Sequence, residues 1–218
     1  MNWNNSLDSG PVGTQSLKKS RFTEMLIEEN APDLRNFDRW IFCEGMLFSS
    51  PDKWWGDRGQ RDFPHEGIDL CLYRDSLGRI RRLDTQSRFP AVADGTVRAI
   101  FKDYLGKAVI IEHQTPVDGT ESLLSFYAHI NPDPKIGVGT TVRSGDIIGS
   151  LADTSHSKAR VLPHLHFTIG RPTQSFSYDG MVWNTIRKPE MMTLLDPLPV
   201  IDWPYQKLEA GDPPCRNN

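Results

Sequence analysis

Three short motifs constrain the fold of this chain most strongly, because their side chains have the chemistry of one site although they lie far apart in the sequence. The motifs are His65-Glu-Gly-Ile-Asp69, Tyr127-Ala-His129 and His164-Leu-His166. A hydrolytic zinc ion takes three protein ligands from His and Asp or Glu and keeps a fourth position for water, while nearby groups move protons. A fold that brings the motifs together therefore has enough side chains for a catalytic zinc site.

The spacing within the motifs predicts local structure. Side chains alternate between faces along a strand, so His164 and His166 project to the same side with Cα atoms about 6.6 Å apart. The surrounding residues alternate polar and apolar and are rich in strand formers, which predicts a strand. In an extended chain His65 and Asp69 would lie about 13 Å apart, too far to share a metal at about 2.1 Å. We therefore expect a bend at Gly67, with His65 in a loop and a strand that begins near Asp69.

The remaining pattern predicts a mainly β protein. We expect a flexible polar arm at residues 1–19 and an amphipathic helix at residues 20–30. Strand-like runs follow at residues 40–48, 69–73, 80–83, 95–102, 108–113, 123–130, 147–151 and 164–169. Turn signals separate several of them, as at Asp94-Gly95, Asp118-Gly119 and Ser144-Gly145. Many short strands with tight turns predict antiparallel β-sheets, with a short N-terminal helix and irregular tails.

Composition and charge exclude several classes of protein. A chain of 218 residues favours one well-buried domain with elaborations. Its net charge of −3 gives no electrostatic reason to expect a nucleic-acid partner. No run approaches the roughly 18 apolar residues of a membrane helix, and the N-terminus lacks the basic and apolar parts of a signal peptide. The three cysteines are odd in number, so at least one thiol is expected to stay free or to pair with another chain.

The motifs and their neighbours resemble a known family, the lysostaphin-like or LytM-type zinc endopeptidases, which cut the peptide part of bacterial peptidoglycan. The resemblance runs from about residue 45 to residue 171. It is carried by the three motifs and by Leu47-Phe-Ser-Ser-Pro51, Phe63-Pro-His65, Pro90-Ala-Val-Ala-Asp-Gly-Thr-Val97, Val109-Ile-Ile-Glu-His113, residues 138–149 and Pro163-His-Leu-His-Phe167.

The resemblance implies a fold, a cofactor and roles for the motif residues. The fold would be a barrel-sandwich-like β core, the duplicated hybrid motif, at residues 45–171. Residues 1–44 would form an N-terminal arm and helical lead-in, and residues 172–218 a C-terminal extension packed on the domain or trailing from it. One Zn²⁺ per chain would be held by His65, Asp69 and His166, with His129 and His164 beside the metal-bound water. The partners would be peptidoglycan peptides, and the location the periplasmic or extracellular cell envelope.

Four further residues are candidates for substrate binding, each with a plainer alternative. Tyr127 shares the face of His129 if the strand is regular, although core packing is equally expected. His113 ends an apolar strand and can be a cleft-edge or a structural residue. Trp54 and Trp55 could line a peptide groove or pack on the domain body. Cys71 could be imagined as a fourth ligand, but a buried free cysteine is commonly a small core residue.

Other classes of protein share parts of this pattern. Every ligand is present, yet a LytM-type envelope scaffold that activates an amidase could hold the same metal without hydrolysis. A phosphocarrier like the glucose-specific enzyme IIA shares the fold and uses a pair of histidines, but Asp69 speaks against it. Biotinyl and lipoyl carriers need a modifiable lysine on a hairpin where this chain has Gly119-Thr-Glu-Ser122. Glu66 resembles the glutamate of His-Glu-x-x-His zincins, but position 69 is Asp, so that motif is excluded.

Overall fold

Strands make up most of the regular structure of the chain in the computed structural model, which describes residues 20–114, 122–158, 161–175, 177–209, 212 and 215. Three short helices occur in these ranges, namely α1 (Phe22–Glu29), α2 (Trp183–Ile186) and α3 (Leu198–Ile201). The strands there are β1 (Phe37–Phe42), β2 (Ile68–Leu70), β3 (Leu72–Asp75), β4 (Ile80–Arg82), β5 (Arg88–Pro90), β6 (Gly95–Lys102), β7 (Lys107–Gln114), β8 (Ser122–Pro132), β9 (Thr141–Val142), β10 (Ile147–Leu151), β11 (Leu165–Pro172), β12 (Met192–Leu195) and β13 (Tyr205–Lys207).

The strands form two sheets, in which nearly all neighbours are antiparallel. The larger sheet has the order β12-β11-β8-β7-β6-β9; β2 also pairs with β11, and β10 pairs with both β5 and β8. The smaller sheet has the order β13-β1-β3-β4, with β1 and β13 parallel. The mainly β, antiparallel architecture predicted from the sequence is therefore confirmed. Among the described residues, no helix is both long and apolar enough to span a membrane.

The predicted elements differ from the observed ones at informative places. The run at 40–48 ends at Phe42, because the following residues form a turn that holds the candidate ligands. The run at 69–73 breaks at Cys71, where the chain leaves the larger sheet through β2 and enters the smaller one through β3. The C-terminal extension is more regular than expected, since it contains α2, β12, α3 and β13. The predicted arm at residues 1–19 and the turn at Asp118-Gly119 lie outside the described residues.

The two faces of β8 bury different sets of side chains. Leu123 and Tyr127 point into the main core, which also receives Phe22 of α1, stacked on Phe167 of β11 at 5.4 Å between ring centroids. Leu124, Phe126 and Ala128 on the opposite face pack in a second cluster with residues of the C-terminal extension, namely Met181, Trp183, Ile186 and Met192. The extension therefore covers an apolar face that the larger sheet would otherwise expose to water.

A disulfide closes most of the chain into one covalent loop. Cys43 follows β1 and is bonded to Cys215, 172 residues later in the sequence. Cys71 is a free, buried thiol, and burial raises its pKa. The odd cysteine count thus leaves one free thiol, as the sequence predicts, and that thiol is a core residue.

Removal of the disulfide should destabilise the fold. The double variant Cys43→Ala/Cys215→Ala is expected to lose about 2–5 kcal/mol of the free energy of unfolding, because its unfolded chain regains the entropy of a long loop. Urea denaturation followed by tryptophan fluorescence measures the change. A reductant should bring the parent to the midpoint of the variant and leave the variant unchanged, since Cys71 is the cysteine that remains. Equal midpoints for parent and variant would contradict the prediction.

Candidate functional site

Three donor atoms from two of the motifs converge at the larger sheet. His65 lies in the loop before β2, Asp69 lies in β2 and His166 lies in β11, where it pairs directly with Asp69. His65 Nε2 is 3.1 Å from Asp69 Oδ1 and 3.0 Å from His166 Nδ1, which is itself 2.9 Å from Asp69 Oδ1. All three side chains are buried. The structure therefore brings together the three residues expected to hold a metal.

The donor set fits a zinc ion in type and in size. The other nitrogen of each ring has an oxygen partner: His65 Nδ1 lies 3.1 Å from Leu47 O, and His166 Nε2 lies 3.1 Å from Thr168 Oγ1. Protons on these outer nitrogens leave two nitrogen lone pairs and one carboxylate oxygen facing one another, which a cation stabilises. Donors about 2.05 Å from a tetrahedral zinc lie about 3.3 Å apart, close to the observed separations.

The Asp69 carboxylate is held so that only one oxygen faces the two histidines. Oδ2 accepts a hydrogen bond from Trp54 Nε1–H at 2.6 Å and lies 3.7 Å from an Arg61 guanidinium nitrogen. Burial by itself raises the pKa of this carboxyl, but its histidine neighbours, His65 before His164, hold the pKa well below its usual range. Asp69 is thus an ionised donor through Oδ1 alone.

Backbone hydrogen bonds from the turn after β1 position the first motif. Met46 O accepts the N–H of Asp69 at 2.9 Å, and Ser50 O accepts the N–H of His65 at 3.0 Å. Gly67 is required for a reason that the sequence did not reveal. A Cβ there would lie 2.1 Å from Phe167 O, so the glycine permits close approach to β11.

A β-bulge in β8 directs His129 into the site. Lys107 pairs with Ile130 and Val109 pairs with Tyr127, so that two residues of β8, Ala128 and His129, lie opposite one residue of β7. His129 also has a positive φ of 62°. The extra residue breaks the alternation of the strand and re-aims the side chains beyond it. His129 consequently lies on the face of His166, 5.7 Å away between ring centroids, whereas Tyr127 points into the core.

His164 lies beside His129 and beside the donor cluster, which is the group His65, Asp69 and His166. Its ring centroid is 4.8 Å from that of His129, and its Nε2 is 3.7 Å from Asp69 Oδ1. Nδ1–H donates to Leu162 O at 2.7 Å, and the edge of Trp54 packs at 5.1 Å between centroids. Burial lowers the pKa of His164 to about 3, so the ring is neutral at neutral pH. A neutral ring with Nδ1–H has its Nε2 lone pair directed towards the cluster.

The cluster opens into a cleft of about 320 Å³ that combines residues from distant parts of the chain. Its lining consists of Trp55, Arg61, Glu66, Asp69, Tyr104, Leu105, His129, Val161, His164, His166, Trp183 and Arg187. Arg187 forms an ion pair with the buried Glu66, and the Arg61 guanidinium lies 4.3 Å from the Trp55 ring centroid. Trp183 and Arg187 come from the C-terminal extension, and no sequence pattern connects them with the motifs.

The structure corrects most of the substrate-binding candidates. Trp55 lines the cleft, so it stays a candidate. Trp54 is buried and bonds Asp69 instead. Tyr127 is completely buried and its hydroxyl accepts the N–H of Val92, so it has no surface for a substrate; the prediction assumed a regular strand and missed the bulge. His113 is also buried, between Asp94 O at 2.8 Å and Ser125 Oγ at 2.7 Å, and lies outside the cleft lining.

Comparison with known proteins gives a family match. Residues 76–177 match Peptidase family M23. The matched segment contains His129, His164 and His166, and it begins after His65 and Asp69. A search of curated proteins gives no match.

Three solved structures are similar to this chain. The solution structure of lysostaphin is 23% identical, with a TM-score of 0.38 over 57% of this chain and 43% of that one. A putative glycyl-glycine endopeptidase lytM from Ruminococcus gnavus is 18% identical, with a TM-score of 0.39 over 63% and 45%. A mutant catalytic domain of the prophage-encoded M23 protein EnpA from Enterococcus faecalis is 22% identical, with a TM-score of 0.36 over 62% and 87%. The chain spans less than half the length of the first two.

Loss of the bond between Trp54 and Asp69 should weaken zinc binding. Trp54→Phe keeps an aromatic ring but removes the indole N–H, and the zinc dissociation constant is expected to rise about 10- to 100-fold. Competition with a chromophoric chelator measures the constant, and circular dichroism checks the fold. Trp55→Phe is the matched control, because this neighbouring ring packs against Arg61 and not against a donor; its zinc affinity should stay within about threefold. The same loss in both variants, or none in Trp54→Phe, would refute the assigned role.

Proposed function

We propose that this chain, whose residues 76–177 match Peptidase family M23, is a zinc-dependent endopeptidase that hydrolyses peptide bonds in peptidoglycan cross-links or stem peptides. One observation carries the proposal: three donor atoms lie within 3.1 Å of one another, and two of the residues that supply them, Asp69 and His166, line the same cleft as two further histidines. Hydrolysis needs both parts, a metal centre and groups that move protons beside it.

The residues of the cleft have separate tasks. His65 Nε2, His166 Nδ1 and Asp69 Oδ1 would hold one zinc ion per chain. A zinc ion bound in this way acts as a Lewis acid and lowers the pKa of its water to about 7. His129 and His164 would take a proton from the attacking water and stabilise the developing oxyanion. His164 suits proton acceptance at Nε2, because Leu162 O keeps its other nitrogen protonated.

The shape of the cleft supports a peptide substrate. Three aromatic residues, Trp55, Tyr104 and Trp183, line it together with the Arg187–Glu66 pair, so an extended backbone would meet apolar walls and a few polar groups. We propose that the catalytic unit is the domain at residues 45–171 together with the extension at least as far as Arg187. Residues 20–44 and the described residues of the remaining extension would support this unit.

The disulfide favours a location in an oxidising compartment. The Cys43–Cys215 disulfide is of the kind that persists in periplasmic and extracellular proteins and is rare in the cytosol. We propose that the protein acts in the cell envelope, where peptidoglycan lies.

Digestion of peptidoglycan tests the activity directly. The purified protein should release new free amino groups from intact sacculi, lose this activity with a chelator and regain it with Zn²⁺, because the metal is part of the site. His166→Ala should stay inactive after zinc addition. Mass spectrometry of the fragments identifies the bond that is cut. No new amino groups from several peptidoglycan types would favour the amidase-activating scaffold, whereas phosphate transferred to a histidine would favour the phosphocarrier.

Metal analysis separates ligands from groups that move protons. His129→Ala and His164→Ala should purify with the parental amount of zinc but lose about 10²- to 10⁴-fold in turnover, the effect of removing a positioned acid or base. Turnover is measured on a soluble cross-linked peptide and zinc by elemental analysis. His156→Ala, in an exposed turn, is the control and should keep both. Zinc lost from either variant would make that histidine a ligand, and turnover near the parental value in both would exclude the proposed roles.

A further inference from the structure

Asp103 makes close contacts with the histidine that enters the cleft from β8. It lies in the turn between β6 and β7, and its side chain is buried. Its Oδ2 contacts His129 Nδ1 and accepts the backbone N–H of His129 at 3.1 Å. Asp103 is not part of the cleft lining, so it can act on a substrate only through residues that are, and of these His129 is one of the two proposed to move protons.

The other carboxylate oxygen is occupied as well. Asp103 Oδ1 accepts the backbone N–H of Tyr104 at 2.7 Å and the indole N–H of Trp183 at 2.9 Å. Burial by itself raises the pKa of this carboxyl, but the hydrogen bond and charge of His129 and the bonds from Tyr104 and Trp183 hold the pKa below its usual range. The group is thus a buried anion that three N–H donors surround, and it remains ionised at neutral pH.

A buried carboxylate beside one ring nitrogen selects the tautomer of a neutral imidazole. An ionised carboxylate only accepts hydrogen bonds, so the close contact between His129 Nδ1 and Oδ2 requires a proton on Nδ1. The remaining lone pair is then on Nε2, the nitrogen of His129 that faces away from Asp103. The opposite tautomer would place a lone pair against a buried anion, at a substantial cost in a medium of low dielectric constant.

We propose that Asp103, held in place by the indole of Trp183, is a positioning residue for His129 that keeps the proton on Nδ1 and presents an unprotonated Nε2 to the cleft. The inference rests on the proposed function for its catalytic consequence, since an unprotonated Nε2 is the form that accepts a proton from water. It also assigns a role to the C-terminal extension, which supplies Trp183. The positive φ of His129 fits this role, because the bonds to Asp103 hold a backbone conformation that L-residues seldom adopt.

Nuclear magnetic resonance tests the proposal on the parent protein without any assay of activity. Long-range ¹H–¹⁵N correlations show which ring nitrogen carries the proton, and the absence of one signal in His129→Gln assigns the resonance. Spectra are recorded at about pH 8.5, two units above the ordinary histidine pKa of about 6.5, with and without Zn²⁺. The proposal expects the Nδ1–H tautomer in both samples. An Nε2–H tautomer in the parent overturns it, whatever the variants do.

Asp103→Asn tests the consequence for the reaction. The amide lacks the negative charge and presents donors on one side, so an Nε2–H population should appear. Turnover on the peptide substrate should fall at least about 10²-fold, with KM within about threefold and zinc content unchanged. Asp75→Asn is the matched control: Asp75 is also buried and accepts the backbone N–H groups of Leu77 and Arg79, but it lies in the smaller sheet.

The outcomes are distinguishable. The control should leave the His129 tautomer and turnover unchanged, even if it lowers stability. An equal fall in turnover for Asp75→Asn, or a parental tautomer and turnover in Asp103→Asn, overturns the proposal. If the parent has no hydrolytic activity, the proposed function fails, whereas the tautomer measurement still decides the role of Asp103.

Discussion

The pairing of β2 with β11 is the contact on which the cluster of His65, Asp69 and His166 depends. Its register sets Asp69 opposite His166, and the turn after β1 holds His65 beside them through backbone hydrogen bonds. Gly67 allows the segment before β2 to approach β11 closely, because any side chain there would overlap the backbone of Phe167. The donor separations are therefore set mainly by backbone pairing, and flexible side chains contribute little to them.

The bulge in β8 and the C-terminal extension complete the cleft on the same face of the larger sheet. In a regular β8 the side chain of His129 would point into the core, as that of Tyr127 does. The extra residue directs it towards His166 instead. The extension packs on that face with Trp183, which contacts both Asp103 and the ring of His166. The C-terminal extension thus covers apolar surface and also contributes polar groups to the site.

The disulfide connects Cys215 with the turn after β1, which holds the first motif. Cys43 immediately precedes that turn, and its partner Cys215 lies beyond β13, which pairs with β1. The same turn supplies the oxygen atoms that hold His65 and Asp69. The C-terminal extension therefore supports the cluster of His65, Asp69 and His166 through the disulfide and His129 through Trp183 and Asp103.

Local sequence patterns predict the mainly β architecture, most strand positions and the five motif residues, because periodicity and metal-ligand chemistry are local properties of the chain. They do not predict the bulge at His129, since an extra residue in a strand becomes visible only against its partner, and for this reason they left open whether Tyr127 lies in the cleft or in the core. They also do not connect Asp103, Trp183 or Arg187 with the motifs, or show that Trp54 holds Asp69. Those contacts join residues distant in sequence, and only the packing of the extension and the loops on the larger sheet decided them.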